Sequence, residues 1–401
     1  MSRYLIIADD FTGANDTGLQ FARRGIPTRV QIKRGREGAP NHSLVVDTES
    51  RNTDAQSAKT LVAEALKDLD VSSYSVVMKK IDSTLRGNIC SELEVVRAKT
   101  GAQVVVVATA FPAMGRTCEG AVVHLNGKRL LDSEVGRDPR KPIDTDDLLT
   151  LFGPLDERIV HLGVETIREG SFPTLKRGIV ICDATVAEDL DLVAAWALGL
   201  DAVPLFVGSA GLAEAIVNSY TPAKPSFGVV ASLSAVTERQ VRYAEEQGAV
   251  IVAMGVEEIL AHEELDHYVD RITTLLGEGW DVILTVSSVL DKDEVERTKA
   301  LGYTGDEVGM RLMEGLGRVG RLVIERSSIA GIFLTGGDTA YGLLEALHID
   351  EIEIVREVAL GIPMMMAVND RYPNLKIITK AGGFGKDDAI SYALRTLKEA
   401  Q

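Results

Sequence analysis

The sequence predicts an α/β protein of two domains, each a mostly parallel sheet flanked by helices, with the active site in the interdomain cleft. Three observations carry that expectation. Short runs rich in Val and Ile recur along the chain as continuous apolar stretches, the pattern of strands buried on both faces. Amphipathic segments separate them, the alternation that builds parallel α/β layers. A connection with two prolines in eight residues, Ser219 to Ser226, interrupts the alternation near the middle.

Taken in order, the predicted strands are 5–8, 28–32, 44–47, 75–78, 104–108, 178–182 and 202–207, then 227–231, 250–253, 282–285, 332–334, 352–358 and 376–379. Helical patterns fall at 17–24, 55–69, 89–99, 187–198 and 212–218, then 238–246, 306–325, 340–347 and 387–399. The proline-containing connection gives domains of 1–220 and 227–401 with a linker at about 219–226. A charged stretch from Asp132 to Leu155, with Pro139, Pro142 and Pro154, reads as a flap or inserted loop.

The 401 residues suffice for two ordinary cores. A formal net charge of −16 argues against nucleic acid as the main partner, because phosphate backbones want a basic face. Three scattered cysteines, Cys90, Cys118 and Cys182, suggest neither a disulfide framework nor a structural zinc site. The opening apolar run, Leu5 to Ala8, is too short for a signal peptide, and no stretch approaches the ~20 apolar residues of a membrane span. The expectation is a cytoplasmic enzyme with no membrane partner. Assembly into a homo-oligomer stays open.

In open α/β sheets, ligands gather at the carboxyl ends of the strands. Asp9 and Asp10 follow the first strand, and Thr12, Gly13 and Asn15 lead from them into a helix expected near Asp16 or Thr17. A turn with a capping Asn15 or Asp16 explains part of this; two adjacent carboxylates after a buried strand favour a ligand. The segment after Met78 is denser, with Lys80, Asp82, Ser83, Thr84, Arg86 and Asn88 crowded around Leu85 and Gly87. Arg86 can grip a carboxylate with two parallel bonds, while Asp82 and Ser83 can bond sugar hydroxyls. Arg51 follows a third strand toward the same crevice. Phe111-Pro112 reads as a wall of that crevice or a rigid turn, with Arg116 and Thr117 as donors.

The second half carries a different chemistry. Thr335-Gly336-Gly337-Asp338-Thr339 joins a strand to a helix, a placement that lets a glycine turn cradle an anion. Gly382, Gly383 and Gly385 do the same after the last strand, with Lys380 beside them. Ser232 and Ser234 add hydroxyls after strand 227–231. There is no Walker A motif, no G-x-G-x-x-G fingerprint, and Gly208-Ser209-Ala210-Gly211 has the wrong spacing for a hydrolase nucleophile elbow. His262 and His267 are wrongly spaced for one helical face, and the other histidines lack companions, so metal ligands are unassigned. One half suited to a polyhydroxy acid and another suited to a triphosphate read together as a kinase.

The motifs Ala8-Asp9-Asp10-Phe11-Thr12-Gly13-Ala14, Lys80-Ile81-Asp82-Ser83-Thr84-Leu85-Arg86-Gly87, Phe111-Pro112-Ala113 with Gly115-Arg116-Thr117, Gly208-Ser209-Ala210-Gly211-Leu212, Gly336-Gly337-Asp338-Thr339 and Lys380-Ala381-Gly382-Gly383-Phe384-Gly385 occur in one order along nearly the whole chain. In this the sequence resembles the four-carbon acid sugar kinases, which phosphorylate threonate, erythronate or 3-oxo-tetronate at the terminal hydroxyl. The resemblance implies an N-terminal sugar-acid domain and a C-terminal nucleotide domain, with ATP and a divalent ion, Mg²⁺. It implies substrate contacts from Asp9 or Asp10, Arg51 and Asp82 to Leu85. It implies nucleotide contacts from Ser234, Gly336 to Thr339 and Gly382. One departure stands out: where the family often has Gly-Ser-x-Ser, this chain has Ala231-Ser232-Leu233-Ser234.

The expected reaction is transfer of a phosphoryl group from MgATP to a primary alcohol, catalysed by alignment and charge neutralisation. Asp10 and Asp82 are the two candidates for the base that takes the hydroxyl proton, and Arg51 or Arg86 would hold the substrate carboxylate. A sugar-acid sensor without catalysis and an NAD-dependent sugar-acid dehydrogenase are the alternatives. The acceptor's stereochemistry is open.

Overall fold

The computed structural model describes residues 3–32, 42–136, 143–155, 158–221, 223–261, 264–291, 294 and 303–399. Pro139, Pro142 and His262, named above, and Pro222 of the proline-containing connection lie outside them. The chain divides into two compact units, Met1–Pro222 and Ala223–Glu399.

In the first unit the strands are β1 (Tyr4–Ala8), β2 (Thr28–Gln31), β3 (Ser43–Asp47), β4 (Val76–Lys80), β5 (Val104–Ala108), β6 (Arg116–Glu119), β7 (Val122–Leu125), β8 (Lys128–Arg129), β9 (Ile159–Leu162), β10 (Gly178–Cys182) and β11 (Leu205–Gly208). Eight of them form one sheet in the order β2-β3-β1-β4-β11-β5-β10-β9, and every pairing in it is parallel. Strands β1, β3, β4, β5, β10 and β11 are buried at every position; apolar residues fill most of them, as burial on both faces requires, with Ser43, Asp47, Lys79 and Lys80 the polar residues of β3 and β4. The helices Phe11–Ala22 and Ala210–Tyr220 pack together, and Ala55–Leu66 packs on Ile89–Thr100. Strands β6, β7 and β8 form a separate three-stranded meander that the sequence pattern did not signal.

The second unit holds β12 (Phe227–Val230), β13 (Val250–Met254), β14 (Val282–Val286), β15 (Ile332–Thr335), β16 (Ile352–Ala359), β17 (Ile362–Ala367) and β18 (Lys376–Lys380). They form one sheet in the order β13-β14-β12-β15-β18-β17-β16. Its pairings are parallel except at the β16-β17-β18 edge. Two separate apolar clusters cover its faces. Val229 packs with Leu343 and Leu316 in one, and Val230 with Val241 and Ile390 in the other.

In each sheet the first strand has a neighbour on both sides, β3 and β4 around β1, β14 and β15 around β12. The chain leaves such a strand in one direction and later returns on the other, and the helices that follow splay apart at its carboxyl end. Among the described residues no helix is long and apolar enough to cross a membrane.

Beneath the first crevice lies an ion pair that the sequence reading overlooked. Lys79 Nζ sits 2.8 Å from Glu92 Oε2, with both side chains at most 1% exposed. Glu92 Oε1 accepts from Ser50 Oγ at 2.7 Å, and Ser50 meets Thr48 Oγ1 at 2.7 Å. The chain of bonds ties β4 and the helix Ile89–Thr100 to the segment after β3. Removing one partner strands the other charge in the core, so Lys79→Met should lower the unfolding free energy by about 3–5 kcal/mol. Chemical denaturation of Lys79→Met and of Lys79→Met/Glu92→Leu checks this; the double variant should recover most of the loss.

Candidate active site

At the carboxyl end of β1, Asp10 opens the helix Phe11–Ala22, its Oδ1 accepting from Gly13 N at 2.9 Å. The helix therefore starts six residues before the predicted position 17. The apolar periodicity begins only at Thr17, whereas the cap that fixes the start is Asp10. Asp10 is both cap and ligand to Arg51. Arg51 reaches from the segment after β3 and forks across both aspartates. Its Nε and Nη2 meet Asp9 at 2.7 and 2.9 Å, and its Nη1 and Nη2 meet Asp10 at 2.7 and 2.7 Å. Burial opposes the Arg51 charge, but the bonds to Asp9 and the charges of Asp9, Asp82 and Asp10 raise its pKa further above the usual value.

Lys80, the last residue of β4, is buried, and its Nζ donates to Ile81 O at 2.9 Å. Burial lowers its pKa against the pull of Asp9 and Asp82. A Cβ on Gly13 would lie 2.6 Å from Asp10 Oδ1 and 2.9 Å from Lys80 Nζ, so a side chain here would displace the Asp10 carboxylate or the Lys80 ammonium. Gly87, at φ +110°, brings the backbone against Asp9 and Arg51.

Between them, Asp82 is buried and its Oδ2 accepts from Thr84 Oγ1 at 2.6 Å and from Arg86 Nε. Burial alone would raise its pKa; the bonds from Arg86 and Thr84 and the charge of Arg51 outweigh it and hold the carboxyl below its usual range. Among the described residues no hydrogen bond is made at Asp82 Oδ1 or at the terminal nitrogens of Arg86. Leu85 adopts φ +58° with its side chain in the core, so only its backbone can meet a ligand. Asp82, Ser83, Thr84 and Arg86 line a cavity of about 370 Å³. Hydrogen bonds join Asp9, Asp10 and Arg51 in one group and Asp82 and Arg86 in another, and the charges of Asp9, Asp10 and Asp82 act on both Arg51 and Lys80.

In the second unit the β12 and β18 segments are pressed together. A Cβ on Gly382 would lie 2.1 Å from Ser232 Oγ, and Thr237 Oγ1 donates to Gly382 O at 3.0 Å. Ser234 caps the helix Ala235–Glu246. Lys380 is buried and its ammonium donates to Ala381 O, Gly382 O and Phe384 O at 3.0, 3.0 and 3.1 Å. Its donors hold the glycine turn in shape rather than projecting from it, and burial pulls its pKa down to about 8. Gly336, at φ +97°, opens the helix Gly337–Ala346, whose first amides carry no side-chain cap. Uncapped amides at a helix start, beside the exposed Gly337 and Asp338 and the half-buried Thr339, have the donor chemistry that suits an anion. Gly383 and Gly385 complete the turn after β18, Gly385 at φ +83°.

Sequence reasoning missed Asp47, at the end of β3. It is buried, its Oδ1 accepts from Glu49 N at 3.2 Å, and its Oδ2 has no partner among the described residues. Burial raises its pKa from 3.8 to about 6, with the charges of Glu49 and Asp10 adding to the effect and the Glu49 amide opposing it. The folded state therefore holds this proton when the unfolded chain has released it, and stability falls as pH rises through that window. Asp47→Asn should match the unaltered protein near pH 4, gain on it up to about pH 6, and keep a constant advantage above. Thermal unfolding across that range measures the difference, and a pH-independent difference would contradict it.

Comparison with known proteins gives a consistent picture. Residues 4–216 match a family described as a sugar-binding N-terminal domain, and residues 227–390 one described as a nucleotide-binding C-terminal domain. A D-threonate kinase of Salmonella typhimurium is 34% identical over 99% of this chain and 99% of its own length. A D-erythronate kinase of Heliobacterium modesticaldum is 28% identical, covering 97% of this chain and 95% of its own. A crystal structure from Bordetella bronchiseptica, described as a domain of unknown function with bound citrate in a domain-swapped dimer, superposes with a TM-score of 0.61 at 26% identity. It covers 100% of this chain and 99% of that one.

Proposed function

This chain belongs to the four-carbon acid sugar kinase family, and on that premise we propose that it is an ATP-dependent kinase for the terminal hydroxyl of a four-carbon sugar acid. The observation that carries the reading is the Asp82 segment. Among the described residues, a carboxylate with one oxygen unengaged stands beside a guanidinium with unengaged terminal nitrogens, on a cavity sized for a small polar acid.

Arg86 would hold the substrate carboxylate, while Ser83, Thr84, Asp9 and the Arg51–Asp10 pair would position its hydroxyls. Asp82 is the better base of the two candidates. Both oxygens of Asp10 are taken by Arg51 and the Gly13 amide, whereas Asp82 Oδ1 is open to a hydroxyl proton. Its lowered pKa keeps it ionised at neutral pH. As the alcohol oxygen bonds to the γ-phosphorus, Asp82 accepts the hydroxyl proton and the bond to the ADP oxygen breaks.

The triphosphate would lie on the amides of Gly336 to Thr339, with Ser232, Ser234 and Gly382, Gly383 and Gly385 shaping the opposite wall. The ends of β12, β15 and β18 carry these residues, the β12/β15 switch point among them. Asp338 fits a Mg²⁺ carried on the nucleotide: its carboxylate is exposed and makes no ion pair among the described residues. When bound, the ion would neutralise phosphate charge. Self-association is part of this reading, supported by the domain-swapped dimer of the Bordetella neighbour.

Coupled ADP release with D-threonate, D- and L-erythronate and their oxo forms tests the activity. Asp82→Asn should lower turnover by about 10²- to 10⁴-fold while ADP still binds. A variant that loses ADP binding and keeps sugar-acid binding would reverse the roles given to the two units.

A further inference from the structure

We infer that Arg116 is a second guanidinium of the substrate site and determines the preference for an acid over the corresponding neutral polyol. This deepens the kinase reading and rests on it. The cavity beside Asp82 is not closed by the Lys80–Asn88 segment alone. Arg116 lines it from the start of β6, facing the same space as Arg86, Ser83, Thr84 and the exposed Glu134.

The mounting of Arg116 is stiff. The segment after β5 turns back on itself, with Phe111 N donating to Arg116 O at 2.8 Å and Arg116 N to Phe111 O at 3.2 Å. Ser209 Oγ, from the end of β11, donates to Ala110 O at 2.7 Å and fastens the base of that turn. Gly115 sits at φ +69°, and a Cβ there would lie 2.0 Å from Asn126 Oδ1, so the β7–β8 turn closes against it. A turn held this way returns the side chain to one place, which a specificity contact needs.

The guanidinium on that mounting is only partly engaged. Its Nη1 donates to Met114 O at 2.5 Å. Its Nε is buried and has no hydrogen-bond partner among the described residues. A buried N–H on a cation is costly to leave unpaired, and a ligand carboxylate is the group that pairs it best. Two forks converging on one cavity, with Asp82 as the base at its side, suit a molecule with an anionic head and a hydroxylated tail. A neutral four-carbon polyol would leave both forks unsatisfied, which is how a polar site rejects a close analogue.

The test is calorimetric binding and coupled kinetics on the full chain, using D-threonate or the best acid of the panel and the corresponding tetritol. Arg116→Gln should weaken acid binding and raise its KM roughly 10- to 100-fold, with kcat and the KM for ATP little changed. The ratio of acid to tetritol affinity should collapse toward one. Arg116→Lys, which keeps the charge but not the fork, should recover part of the affinity and is the deciding variant if Arg116→Gln does not fold. Unchanged acid affinity in a folded variant overturns the inference. So does a loss of kcat with the acid-to-tetritol ratio preserved, because that marks a purely structural residue. An unaltered protein that binds the acid yet releases no ADP refutes the kinase reading, and the binding ratio still judges Arg116.

Discussion

The first unit's site depends on Arg51 bridging Asp9 and Asp10. Two adjacent carboxylates at one strand end repel each other, and nothing in β1 itself could hold them side by side. The guanidinium from the segment after β3 answers both at once with charge-assisted bonds of 2.7 to 2.9 Å, and its side chain is only 12% exposed. Screening by water and salt is weak at such burial. The fork also joins two loops that the sequence separates by about forty residues, which fixes their shape relative to each other. Gly13 and Gly87 are the consequence: at Gly13 a side chain would push on Asp10 and Lys80, and Gly87 approaches Asp9 and Arg51 at φ +110°, a conformation that favours glycine.

Support from below comes at a cost. Lys79 of β4 and Glu92 of the helix Ile89–Thr100 form a fully buried pair in a largely apolar interior. Such a pair stabilises little relative to apolar packing of the same volume. Its bonds run through Ser50 and Thr48 to the backbone of β1, so it sets the register of the segment that carries Arg51. The second unit solves the same geometric problem with different means. There Lys380 spends its donors on carbonyls of its own turn, and Gly382 is pressed onto Ser232, so the shape of the loop comes from backbone and small side chains. A hydroxyl- and carboxylate-lined crevice and an amide-lined one follow from those two choices.

Most of the architecture was legible because buried parallel strands must be apolar throughout. The runs at β1, β5, β10 and β14 could be little else. The loops were legible because polar residues crowd at strand ends. What escaped was set by contacts distant in sequence. The β6–β8 meander is short, half-exposed and held by Asp183 accepting from the Gly120 and Ala121 amides at 2.7 and 2.9 Å, so it shows no long alternating pattern. Strand β17 contains Pro363 and three methionines, a composition that argues against a strand until its hairpin with β16 is seen. Arg51 was found by position, but its commitment to both aspartates was invisible, since nothing in a one-dimensional sequence says which carboxylate a guanidinium will choose. The buried Lys79 was overlooked beside Lys80, although a lysine inside a run of Val and Met was itself the signal.

The central claim is that acid and nucleotide are recognised by different units, through the Asp82 segment and the Gly336–Thr339 turn. A crystal structure with a four-carbon acid and a non-hydrolysable ATP analogue tests it most directly. The account predicts the acid's carboxylate on Arg86, its terminal hydroxyl within hydrogen-bond reach of Asp82 Oδ1, and phosphate oxygens on the amides of Gly337 to Thr339. Phosphates found against the Lys80–Asn88 segment, or an acid bound only in the second unit, would contradict it.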